Sequence, residues 1–100
     1  MEPFIRLKEL NTKECLWIYI LSILKSKPMH GYALRKEVEN KFSFRPGNVT
    51  SYKVLYLLKK SGYVSKKNDG RLVVYSITTK GKTELKKAIR FYRELAMKMA

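Results

Sequence analysis

Seven bases and one acid fall between residues 45 and 71, with tyrosines set among them. Arg45, Lys53, Lys59, Lys60, Lys66, Lys67 and Arg71 stand against Asp69, so this stretch carries +6. Cations at that density suit one kind of chemistry: they displace the counterions of a polyanion, and the gain grows with each phosphate neutralised. Asn48, Thr50 and Ser51 precede them, short polar side chains of the kind that hydrogen-bond base edges or phosphates. Tyr52 and Tyr56 reach phosphate through their hydroxyls. The bland readings stand beside these. Scattered lysines keep a protein soluble, Tyr52 serves equally as core packing, and Asn48 equally as a plain helix N-cap.

Other chemistries find little material. Glu37 and Glu39, the nearest carboxylate pair, lie about 200° apart around a helix and do not converge. No nucleophile–base constellation is present, so no enzyme activity and no cofactor are expected. One cysteine and one histidine exclude a disulfide framework and a structural metal site. Gly81-Lys82-Thr83 looks like the end of a phosphate-binding loop, but the motif's first glycine would fall at Ser76, inside a strand. Asn48-Val49-Thr50 matches a glycosylation sequon and, without a secretory signal, means nothing. Cys15 reads as a thiol buried in an apolar helix. His30 reads as a local hydrogen-bonding residue, and Trp17 as packing.

The chain has 100 residues, enough for one domain. Its 45% hydrophobic content separates it from a disordered basic tail, and its net charge is +14. The longest apolar run, Cys15 to Leu24, is about half of what a bilayer requires. Acids precede it and lysines follow it, against a signal peptide. The expectation is a soluble cytoplasmic protein with an anionic partner and no membrane partner.

The positioning elements follow from local signals. Residues 1–10 form a frayed arm or a short extra helix. Asn11 or Thr12 caps a helix over 12–25, with Glu14 in capping-box spacing from Asn11. Its content is too continuous for a one-sided surface helix, so it is expected to be buried against its own domain and a partner chain. Pro28 follows its end. A second helix opens at His30-Gly31-Tyr32 and runs to about Lys41, with Tyr32, Leu34, Val38 and Phe42 as its stripe. Ser43 to Gly47 is a turn. Asn48 or Thr50 caps a third helix running to about Ser61, and Gly62 closes it in the left-handed conformation. Two β-prone runs, Tyr63–Ser65 and Leu72–Ile77, flank a hairpin turn at Asp69-Gly70. Thr78 or Thr79 caps a last helix over about 80–98. In it Leu85, Ile89, Tyr92, Ala96 and Met99 step by 4, 3, 4 and 3, a heptad seam read as a dimerisation face. Trp17 joins that face from the first helix.

On the third helix, at roughly 100° per residue, Ser51, Val54, Leu55 and Leu58 share one side. Val49, Lys53, Tyr56 and Lys60 share the other. Three helices and a basic hairpin are the layout of a winged helix-turn-helix: an α+β fold, mainly α, with a two-stranded wing. The recognition surface is then Asn48, Thr50, Ser51, Tyr52, Lys53, Tyr56 and Lys60, with Lys66, Lys67 and Arg71 on the wing.

The same segments carry a family resemblance. Leu21 to Tyr32 (LSILKSKPMHGY), Thr50 to Leu55 (TSYKVL), Ser61 to Val64 (SGYV) and Tyr75 to Gly81 (YSITTKG) resemble, in order, motifs of the PadR-type transcriptional regulators. Val49 stands where a glycine is common in that family, and Lys53 where a proline is. The resemblance implies a homodimeric winged-helix DNA-binding regulator, usually a repressor, in a short form with a single C-terminal dimerisation helix. In this family an aromatic at the dimer interface contacts drug-like or phenolic effectors, a role open to Trp17, though the sequence identifies no effector. The division implied is an arm (1–11), a DNA-binding domain (12–78) and a dimerisation helix (79–100). Two rival readings are a sequence-neutral packaging protein on double-stranded DNA and a basic helix at anionic membranes, the latter through Lys82, Lys86, Arg90 and Arg93.

Overall fold

A computed structural model describes residues 2–100. Helix α1 (Pro3–Glu9) starts on a proline at its first turn, where the missing N–H costs nothing. A π-helical turn, Leu10–Glu14, continues it. The N-terminal segment is thus helical, and the expected cap at Asn11 or Thr12 does not form. Their side chains bond backwards instead: Asn11 Nδ2 donates to the Leu7 carbonyl at 2.9 Å and Thr12 Oγ1 to that of Lys8 at 2.9 Å. With helix on both sides, these side chains find upstream carbonyls and no exposed amides. The axis breaks one turn later, at Cys15 (φ −112°, ψ 26°).

Helix α2 (Leu16–Leu24) is the centre of the molecule. It packs against α3 (Gly31–Phe42), α4 (Asn48–Lys60), α5 (Thr79–Met99) and the sheet. Leu16, Ile20, Leu21, Ile23 and Leu24 are buried, and Trp17, Ile18 and Tyr19 pack half-buried against the same core. The two-sided burial anticipated for this helix is therefore met mainly within the chain. Tyr19 is held between Phe42 and Phe44, both edge-on at 4.8 and 4.9 Å.

Helix α3 is capped by His30, whose Nδ1 accepts from the Ala33 amide at 3.3 Å. Leu34 and Val38 face the core, while Tyr32, placed on that stripe by periodicity, is exposed. Helix α4 ends in a Schellman arrangement: Tyr63 N–H bonds to Leu58 at 2.9 Å and Gly62 N–H to Lys59 at 3.1 Å, with Gly62 at φ +84°.

Strands β2 (Val64–Asp69) and β3 (Leu72–Ile77) form the hairpin. Asp69 pairs with Leu72, so the turn residues are Gly70 and Arg71, one place later than expected. Gly70 at φ +65° ahead of Arg71 suits a type II′ turn. A third strand, β1 (Met29–His30), pairs antiparallel with β3 through Met29–Tyr75 and His30–Val74. The sheet therefore has three strands, in the order β1-β3-β2, one more than the two-stranded wing expected. A two-residue strand has no period to detect.

Thr78 starts α5 and locks the junction. Its Oγ1 accepts from the Gly81 amide at 3.1 Å and donates to the Gly62 carbonyl at 2.7 Å. Lys80 Nζ caps the C-terminus of α4 through Ser61 O at 2.6 Å and sits over the Tyr63 ring. Gly81 is pressed against the Tyr63 carbonyl so closely that a Cβ would collide with backbone. The Thr-Thr-Lys-Gly run is thus the clasp that fixes the hairpin's base to α4.

Candidate nucleic-acid interface

Helix α4 presents its two sides as the 100° spacing requires. Leu55 and Leu58 are 0% and 7% exposed, and hold the helix to the core. Asn48, Val49, Thr50, Lys53, Tyr56 and Lys60 are all exposed. Ser51 is the exception among the expected contacts. It is buried, and its Oγ donates to the Gly47 carbonyl at 2.6 Å, so neither its position nor its hydroxyl is open to a ligand.

Nor does Asn48 cap α4. Gly47 holds that position, without a side-chain bond, and Asn48 is the first helical residue. Its carboxamide is engaged elsewhere. Arg35, half-buried on α3, donates to the Pro46 carbonyl from Nε and Nη2 at 3.2 and 3.0 Å. Its Nη1 donates to Asn48 Oδ1 at 3.2 Å. A guanidinium has no acceptor, so the oxygen of Asn48 must face it. The NH2 group is left as the outward atom of this side chain. Arg35 was not among the residues singled out from sequence. Periodicity placed it on a polar helix side, and nothing local shows that its fork closes on a loop eleven residues away.

Tyr52 divides its roles. Its ring lies over Gly31, where an added Cβ would stand 2.7 Å from ring carbons. The glycine of His-Gly-Tyr is therefore a seat for this tyrosine. Tyr52 remains 43% exposed, and its hydroxyl neighbours Tyr75. Burial first, and Tyr52 second, push the Tyr75 phenol above its ordinary value, so it remains a neutral donor.

On the hairpin, every residue of β2 after Val64 is exposed. Lys66 lies opposite Tyr75 and Lys67 opposite Val74. Alternation along a strand sends these two lysines to opposite faces. They form no single row; they flank the strand. Arg71 sits in the turn itself.

Charge neutralisation is one-sided. Among the described residues the ion pairs are Arg45–Glu39, Lys87–Glu84 and Arg90–Glu94. None of them uses Lys53, Lys59, Lys60, Lys66, Lys67 or Arg71. The cations of α4 and the hairpin meet solvent without a carboxylate partner, the condition in which counterion release is largest.

The expected dimer residues separate into two groups. Leu85 is 2% exposed and belongs to the chain's own core, so it is withdrawn from any partner surface. Trp17 packs half-buried against that core. Ile89, Tyr92, Ala96 and Met99 are exposed. Tyr92 is also tied down within the chain: its hydroxyl donates to Asn11 Oδ1 at 3.1 Å. Burial and the neighbouring Cys15 push the Tyr92 phenol up. Cys15 itself is a free, half-buried thiol. An open apolar groove of about 990 Å³ runs between α1, the end of α3 and the far half of α5. No cluster of His, Cys, Asp or Glu suited to a metal occurs among the described residues, and no described helix is long and apolar enough to cross a membrane.

Residues 20–87 match the family model described as the transcriptional regulator PadR-like family. The comparison with curated proteins gives no match. Among solved structures, a transcriptional regulator from Clostridium thermocellum is similar at a TM-score of 0.79 and 24% identity, covering 88% of this chain and 91% of the other. A PadR family transcription regulator from Clostridium difficile is similar at 0.76 and 24%, covering 83% and 92%. A winged-helix DNA-binding protein from STIV is similar at 0.73 and 15%, covering 83% and 91%.

Proposed function

Because this chain belongs to the PadR-like family of transcriptional regulators, and so is a DNA-binding regulator, we propose that it is a repressor acting as a homodimer on a pseudo-palindromic operator. The observation that carries this reading is the unpaired charge: Lys53 and Lys60 on the outer side of α4, and Lys66, Lys67 and Arg71 on the hairpin, face no acid. The N-terminal turn of α4, with Asn48, Thr50 and Tyr52, supplies the groups that approach base edges. The hairpin adds backbone contacts beside it.

The homodimer is supported by where the apolar surface lies. Ile5 and Leu7 on α1 and Tyr92, Leu95 and Met99 on α5 are exposed and line one open groove. Contiguous apolar surface of that extent marks a protein contact. A second copy is the occupant that would also place two α4 helices on successive major grooves, roughly 34 Å apart. Occupation of such a site excludes polymerase from an overlapping promoter, which is repression. The place of action is then the cytoplasm.

The test is selection of genomic fragments by the purified protein at fixed salt, with random duplex as competitor. The expected product is an inverted repeat whose half-sites are one helical turn apart. Recovery of unrelated fragments in proportion to their length would contradict this reading and fit sequence-neutral packaging.

A further inference from the structure

We propose that Val49 reads the 5-methyl group of a thymine in each operator half-site, making it a specificity-determining residue of α4. The inference rests on the DNA-binding reading above. Val49 is 81% exposed, more than any other large apolar side chain among the described residues. It is the second residue of α4 and heads the stripe Val49, Lys53, Tyr56, Lys60, which steps by four, three and four along the outer side. The inward apolar residues of the helix, Leu55 and Leu58, are buried, so Val49 adds nothing to the core. A β-branched residue also lowers helix propensity slightly. In the free protein this side chain therefore costs a little and packs against nothing.

Its surroundings define what it meets. Asn48 beside it has its oxygen held by Arg35 and its NH2 turned out, and Thr50 follows. This is the polar tip that enters a major groove, and an isopropyl group there has no hydrogen bond to offer. Base edges in that groove present donors and acceptors, with one apolar exception, the thymine methyl. Val49 at this position gains only where that methyl lies. Its single preferred rotamer in a helix keeps the contact ordered before binding.

The experiment replaces each thymine of the selected operator, one at a time, by deoxyuridine, which removes the methyl and keeps the pairing. One position per half-site is expected to weaken binding about fourfold, the transfer energy of one methyl-sized group expressed as a ratio. Substitution in both half-sites is expected to weaken it about fifteenfold. Val49→Ala should bind with no dependence on those methyls and with an unchanged salt response; being solvent-exposed, the position leaves the fold intact. A half-site without thymine, indifference of the wild-type protein to every substitution, or equal sensitivity in Val49→Ala would each overturn the proposal. Failure of the wild-type protein to prefer the operator over random duplex is read first, and would remove the operator-binding reading together with this one.

Discussion

Arg35 holds Asn48 by its oxygen. One guanidinium spans the Pro46 carbonyl and the Asn48 carboxamide, and so joins α3, the connecting turn and the first residue of α4. This fixes both where α4 begins and which atom of Asn48 points outward. A side chain that is free to rotate offers either an acceptor or a donor; this one offers only the donor.

Asn48→Asp keeps the partnership with Arg35, now as a charged pair, and deletes the outward donor. It is expected to lower operator affinity by about 1–3 kcal/mol per half-site, the cost of leaving a desolvated acceptor unpaired. Random-duplex affinity should fall much less. Arg35→Met removes no outward group, yet should blur discrimination by freeing the amide to turn. Titration of operator and random duplex by fluorescence anisotropy separates the two effects. Equal losses on both duplexes would show that Asn48 meets only phosphate.

Gly81 and Gly31 are both closely approached, but by different atoms. The neighbour at Gly81 is the Tyr63 backbone, which cannot move aside, whereas at Gly31 it is the Tyr52 side chain, which can. Gly81→Ala is therefore expected to cost about 3 kcal/mol, at the upper end of overpacking penalties, and to lower the thermal midpoint by roughly 12–24 °C. Gly31→Ala should cost about 1 kcal/mol and displace Tyr52, weakening DNA binding more than stability. Thermal denaturation of the two variants checks the order.

Much of this arrangement was legible in residue types. Gly62 and Thr78 mark real chain reversals, because a left-handed cap and a hydroxyl cap each need a specific residue. The two sides of α4 followed from spacing alone, because Leu55 and Leu58 are the only strong anchors available there. What escaped was set by tertiary structure. Asn11 and Thr12 have the composition of a cap, yet they lie within continuous helix. Strand β1 exists because β3 passes beside Met29 and His30. Ser51 looks like a contact residue by type, but the spacing that put it on the side of Leu55 and Leu58 is the better guide, and there it is buried. Leu85 opens a good heptad, but the chain's own core claims it first.

Leu85 and the residues after it on the seam should respond differently to substitution. Leu85→Ala removes a fully buried side chain and is expected to destabilise the fold by about 2–5 kcal/mol. Ile89→Asp combined with Met99→Asp touches exposed positions. That pair should leave the circular dichroism spectrum and thermal midpoint close to those of a folded chain while converting dimers to monomers. Sedimentation equilibrium gives the mass directly. An unchanged dimer mass in the double variant would place the partner surface elsewhere.

The cations of α4 and the hairpin are the core of the functional reading, and the salt dependence of binding counts them. Five contacts per subunit, from Lys53, Lys60, Lys66, Lys67 and Arg71, give a slope of log affinity against log salt on the order of −9 for the dimer. Lys66→Ala should flatten it by about two, one for each subunit. Measured on the selected operator between about 50 and 200 mM salt, a steep slope that Lys66→Ala reduces is the expected result. A slope near zero, or one that Lys66→Ala leaves untouched, would contradict it.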